Sequence, residues 1–208
     1  LPVSLKTVIT NANRRELTDL ALLGVRLGVA EHGFLCPFPS PGFIRSGLLP
    51  DPADMQASLR WLQENLVGVT RNQILLEGYS RSGNIFNCGY PWNFLSVDYQ
   101  ANLIFCCTLS HLTQGDGVPT SFGGEFIADL CQVPLKEAIT RQFSVAAQTM
   151  QDRLMIQDQV PGISPTPCFW CLNHFGKLAW LREFPESPWN QWLLPGREEG
   201  LRKLTPTL

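Results

Sequence analysis

From Val3 to Thr10 the chain is rich in β-branched residues and is bounded by Pro2 and Asn11, a pattern that predicts a strand. The period then changes. Leu17, Leu20, Ala21, Leu23 and Leu27 recur at helical spacing, with Asn13 and Glu16 placed for a reciprocal N-cap and Gly28 where a C-terminal cap belongs. Together they predict one amphipathic helix of about four turns. A short apolar run from His32 to Phe38 predicts a second strand, which ends in a loop shaped by Pro39, Pro41 and Gly42. Asp51-Pro52 with Asp54 then opens a second helix reaching about Leu66, with Leu59, Leu62 and Leu66 turned inward.

Strand, helix and strand in this order imply a parallel pair joined by a right-handed crossover. Two such strands leave unpaired edges and uncovered helix faces, so this module is expected to be a piece of a longer sheet or barrel, or to be completed by a second chain. The absence of an initiator Met favours a piece of a longer protein. After residue 73 the texture shifts to short strands and turns, with one long helical period from Leu135 to Met155. Gly78-Tyr79, Ser82-Gly83, Gly115-Asp116-Gly117 and Gly123-Gly124 mark loops, and the Pro-rich segment 161–167 leads to the last cysteine pair. The chain therefore divides into residues 1–72, residues 73–180, and a tail over 181–208 that is first aromatic, then polar.

An apolar content of 44% in 208 residues suffices for a core. A net charge of -2 with 16% charged residues leaves no basic footprint, so no nucleic-acid partner is expected. No apolar run approaches the roughly 18 residues of a membrane span, and the N-terminus lacks the pattern of a signal peptide. The expectation is a soluble chain without a membrane partner. Seven cysteines, an odd and unevenly spread count, favour metal or thiol chemistry in a reducing compartment and hence a cytoplasmic location.

Cys168-Phe-Trp-Cys171 has the spacing that lets two thiolates from one turn reach a common metal. Cys88 and Cys106 flank a segment whose alternation after Pro91 and turn chemistry from Asp98 to Asn102 predict a hairpin, which brings its ends together. Four ligands are then within reach of one another. Disulfides, a structural zinc ion, buried packing cysteines and an iron-sulfur cluster all remain open for such a set.

The stretch Cys88…Ala101-Asn-Leu-Ile-Phe-Cys106-Cys107 followed by Cys168-Phe-Trp-Cys171 resembles the auxiliary-cluster domain, of SPASM or shorter twitch type, of radical S-adenosylmethionine enzymes. That pattern runs Cys, a spacer of about a dozen residues, Gly, four residues and Cys, and Ala101 stands here in place of the Gly. Phe126-Ile-Ala-Asp-Leu and Pro134-Leu-Lys-Glu-Ala-Ile resemble the family's linker-helix region. Thr7-Val-Ile-Thr-Asn-Ala-Asn-Arg-Arg-Glu-Leu, Leu27-Gly-Val and the loop Phe34…Pro39…Gly42 resemble the late β/α units of its partial barrel. The implied fold is α/β: an incomplete parallel β/α barrel piece followed by a small α+β cluster-binding domain with a β-hairpin.

The resemblance implies that Cys88, Cys106, Cys168 and Cys171 ligate one auxiliary 4Fe-4S cluster used for electron transfer or for positioning a substrate, either a peptide or a small molecule. The family's Cys-x-x-x-Cys-x-x-Cys motif, which holds the S-adenosylmethionine-cleaving cluster, occurs nowhere in the chain. It would belong to a missing N-terminal half or a completing chain, so this chain alone is not expected to start radical chemistry. No cysteine follows Cys171, so a second auxiliary cluster is not expected. The alternative function is a non-enzymatic module whose iron-sulfur or zinc site mainly closes the fold.

Cys106 is preferred over its neighbour Cys107, because adjacent side chains on a strand point to opposite faces. Cys36 and Cys131 read as packing residues, and His32, His111 and His174 as structural or surface histidines. Asn13, at the C-terminal end of the first strand, is a candidate contact to S-adenosylmethionine as well as a helix cap. Trp180, Trp189 and Trp192 read as an aromatic cover over a small core, with recognition of a partner peptide as the alternative, and residues 196–208 as a loose end.

Overall fold

A computed structural model describes residues 2–79, 88–110, 113–114, 118–119, 124–156 and 166–193. The first part runs β1 (Ser4–Val8), α1 (Leu17–Arg26), β2 (Glu31–Leu35), α2 (Pro41–Arg45), α3 (Pro52–Asn65) and β3 (Gln73–Glu77). Its strands form one parallel sheet in the order β1-β2-β3, with Ser4 beside Glu31 and Glu31 beside Gln73. The sheet thus runs past residue 72. The run Ile74-Leu75-Leu76 is too short to show a period, and only its pairing with β2 assigns it to this sheet.

Helix α1 begins at Leu17, where its apolar spacing starts but later than an Asn13 cap predicts. Asn13 does not cap it, because its side-chain oxygen accepts from the Thr10 amide at 2.8 Å while its amide nitrogen donates to Val8 O at 2.9 Å. Those bonds tie the exit of β1 into a turn, and Glu16 takes the cap position without a side-chain bond. At the other end Gly28 has φ +69°, as the αL residue that closes a helix should. Helix α3 follows its sequence signals closely: Asp51 accepts from the Ala53 amide at 2.8 Å, Pro52 opens the helix, and Met55, Leu59 and Leu62 are fully buried.

The two faces of the parallel sheet differ in chemistry. His32, Phe34 and Ile74 are buried on the face carrying α1 and α3, where Thr7 Oγ1 lies 2.8 Å from His32 Nε2. Burial lowers the His32 pKa, which keeps the ring neutral. The opposite face bears Lys6 beneath Glu31, at 3.0 Å, and Glu77, bridged across Gly33. A side chain at Gly33 would meet Lys6 Nζ and Glu77 Oε1 at 2.8 Å, so glycine leaves the room in which that ion pair crosses the central strand.

The second part comprises α4 (Tyr90–Asn93), β4 (Ser96–Val97), β5 (Asn102–Ile104), α5 (Cys107–Ser110), β6 (Thr113–Gln114), β7 (Val118–Pro119), β8 (Phe126–Asp129), α6 (Leu135–Ile156), α7 (Pro167–His174), a 3-10 turn at Ala179–Glu183 and α8 (Pro188–Leu193). An antiparallel sheet runs β4-β5-β8, and β6 pairs with β7. The expected hairpin is β4-β5, although Tyr90–Asn93 forms a helical turn where strand alternation was expected. The protein is therefore a mixed α/β chain with a parallel and a separate antiparallel sheet. Among the described residues, no helix is long and apolar enough to cross a membrane.

The hairpin turn is built on Asp98, whose carboxylate accepts from the amides of Gln100 and Asn102, both at 2.9 Å. This geometry forces Ala101 to φ 65°, the only positive φ at a non-glycine among the described residues. An L side chain pays about 1–2 kcal/mol there. Ala101→Gly relieves the strain but loosens the unfolded chain, so a net stabilisation of up to about 1 kcal/mol is expected in denaturant unfolding. A loss of stability would show that the turn carries no strain.

Buried residues from both parts join in one apolar cluster running from Ile9 through Phe34, Leu59 and Phe105 to Phe169, Trp189 and Leu193. The aromatic tail is thus core as far as Leu193, where the described residues end. Buried Trp189 donates its indole N–H to Pro50 O at 2.7 Å and packs edge-on against Phe169 and Trp192. The acidic Glu125 and Lys177 form an ion pair almost wholly out of solvent, beside the β5-β8 pairing, where Glu125 O also accepts from Phe105 N at 2.7 Å.

Candidate metal centre

Cys88, Cys106, Cys168 and Cys171 line one cavity, together with Phe105, Leu109 and Arg153. Three local devices hold them. Cys88 immediately precedes the α4 turn, which Gln142 of α6 pins by donating to Pro91 O at 2.8 Å and Phe94 O at 2.9 Å. Cys106 leaves β5 at the start of α5, where its carbonyl accepts from Leu109 N at 2.9 Å. Cys168 and Cys171 lie three residues apart on α7 and so share a face, while Phe169 and Leu172 anchor the helix in the core. Pro167 opens that helix.

The cavity sits beyond the C-terminal ends of the parallel strands. Cys36, just after β2, donates its amide to Glu77 O at 3.2 Å, and Gly78 follows β3 with φ +79°. Both the Cys36 and the Cys168 sulfur come within 4.0 Å of the point a Gly78 Cβ would occupy. This is the edge at which parallel α/β sheets place their ligands. No family model matches the chain, and no curated protein is detectably similar to it.

The cavity between the cysteines is small, about 20 Å³. Water is nearly excluded. Burial accordingly pushes the Cys106 thiol up to about 12, the Cys36 thiol to about 12 and the Cys168 thiol well above its ordinary range. Burial also raises Cys171, but there the Arg153 guanidinium opposes it, donating from Nη2 to Cys171 Sγ at 2.7 Å. The Cys36, Cys106 and Cys168 thiols are therefore neutral near pH 7, and a metal centre would have to displace the protons of those that ligate it.

A pH dependence follows for the metal-free chain. Folded Cys36 and Cys106 hold their protons more tightly than unfolded thiols at the ordinary 9.0, so stability is fully present below about pH 9 and is lost as pH rises toward 12. Urea melts at pH 7, 9 and 10.5 should show it, with Cys36→Ala flattening the fall. An equal loss in that variant would place the cause elsewhere.

Four sulfur donors line this cavity, the donor type that zinc and iron-sulfur centres both use. Among the described residues, no three His, Cys, Asp or Glu side chains are gathered closely enough to hold a metal ion. The buried Arg153 guanidinium at the wall places a positive charge beside these sulfurs.

Other sequence candidates stand apart. Cys107 is exposed and hydrogen-bonds Tyr90, and Cys131 is exposed at a turn. Asn13 is spent on the β1 turn and does not line the cavity. His174 stacks on Trp170 and lies 3.6 Å from Asp152, while His111 falls outside the described residues, as do residues 194–208. Arg153 escaped the sequence reading although a signal existed: it extends the buried stripe Ala138, Gln142, Ala146 and Thr149 along α6, where an arginine needs a reason.

Proposed function

We propose that Cys88, Cys106, Cys168 and Cys171 bind one 4Fe-4S cluster, and that the chain is the auxiliary-cluster part of a radical S-adenosylmethionine oxidoreductase or maturase. The observation carrying this is that four cysteines chosen by spacing line one cavity, while Cys107 and Cys131 face solvent. The parallel sheet adds support: β1, β2 and β3 follow one another in order with α1 and α3 on one face and an ion network on the other, the arrangement of barrel units. S-adenosylmethionine and the cluster that cleaves it would be held by a Cys-x-x-x-Cys-x-x-Cys segment outside these 208 residues.

When bound, the cluster supplies one-electron transfer or a place to hold a peptide or small-molecule substrate. The protein's own part is to offer four thiolates, to keep water out with Phe105 and Leu109, and to donate a charged hydrogen bond from Arg153. Anaerobic reconstitution with ferrous iron and sulfide tests the reading. About four irons and four sulfides per chain with a broad visible absorbance are expected. One tightly held zinc and no iron uptake would overturn it.

A further inference from the structure

Arg153 is about 1% exposed, and its position is over-determined. Nη2 donates to Cys171 Sγ at 2.7 Å, Nη1 lies 3.9 Å from Met150 Sδ, and the guanidinium carbon sits 5.0 Å above the Trp170 ring. Trp170 is on α7 between the two cysteines of that helix, so the stack and the sulfur contact come from one rigid turn. A guanidinium cannot lose its proton, so this is a permanent positive charge at the cavity wall.

We propose that Arg153 is a positioning residue that raises the reduction potential of the four-cysteine cluster. The proposal rests on the cluster reading above. Adding an electron to a body already carrying thiolate charge is costly in a nearly dry site, and a fixed cation in contact with one ligand sulfur lowers that cost. The N–H donated to Cys171 sulfur acts in the same direction, because it withdraws electron density from the ligand. Trp170 keeps the fork from turning away.

The test uses the full chain, reconstituted anaerobically with iron and sulfide and titrated with dithionite in the presence of redox mediators. Arg153→Met and Arg153→Gln are expected to keep about four irons and to shift the reduced-to-oxidised ratio at a given potential by about tenfold toward the oxidised form, or about 59 mV for one electron. Arg153→Lys, which keeps the charge but not the fixed fork, should fall between them and wild type. Neutral variants loaded with wild-type iron at the wild-type potential would overturn the role of Arg153 and leave the cluster standing. Should both neutral variants lose iron, Arg153→Lys decides: a potential below that of wild type supports the proposal and an unchanged one overturns it. A wild-type chain that takes up no iron overturns the cluster reading, and this inference with it.

Discussion

Cys168→Ser or Cys171→Ser is expected to abolish iron-sulfur loading, whereas Cys107→Ser and Cys131→Ser should load like wild type. The contrast follows from position. The first two are one turn of α7 apart and line the cavity, and α7 is held in the core by Phe169 and Leu172. The turn cannot readily offer a substitute sulfur from another residue. Even changes beyond the ligand shell cost about tenfold to a hundredfold in metal affinity, so loss of a ligand should exceed that. Cys131 is exposed, and Cys107, also exposed, hydrogen-bonds Tyr90, a contact that a serine hydroxyl can keep; neither lines the cavity. Iron and sulfide counts, with circular dichroism to confirm folding, decide the matter. Full loading of both α7 variants would remove the cysteine cavity as the site.

Trp189→Ala should be the most damaging single change to stability. The side chain is fully enclosed, contacts Phe169 and Trp192, and joins α8 to the loop before α3 through its bond to Pro50 O. Removing a buried tryptophan costs about 3–5 kcal/mol. Pro50 O also loses its partner. The midpoint of urea unfolding should fall accordingly with an unchanged slope, and the melting temperature by roughly 10 °C for a chain of this size. Because Phe169 lies on the cysteine helix, the variant should also hold its cluster less firmly. A cost under about 1 kcal/mol would mean that the tail does not close the core.

Local signals were readable where one stretch of chain contained its own reasons. The β-branched run of β1, the Asp51 cap and Pro52 of α3, the αL position at Gly28 and the long period of α6 all rest on contacts within a few residues. The same logic misled at Asn13, because its side chain found a nearer partner in the β1 exit than in the helix it was expected to cap. It also misread Tyr90–Asn93, where Gln142, some fifty positions away, holds a helical turn.

That these four cysteines converge was legible from spacing, since a pair on one helical turn and the two ends of a hairpin are local facts. Which of Cys106 and Cys107 faces inward depends on how β5 meets β8 and α7, and that is a long-range matter. By itself the sequence determined the parallel β/α order, the hairpin and the candidate ligands, because periodicity, caps and turns act over short separations. Only the tertiary structure decided that β3 joins the first sheet, that the aromatic tail is core, and that Arg153 stands against Cys171. Those depend on contacts between residues far apart in the chain, whose pairing no local preference encodes.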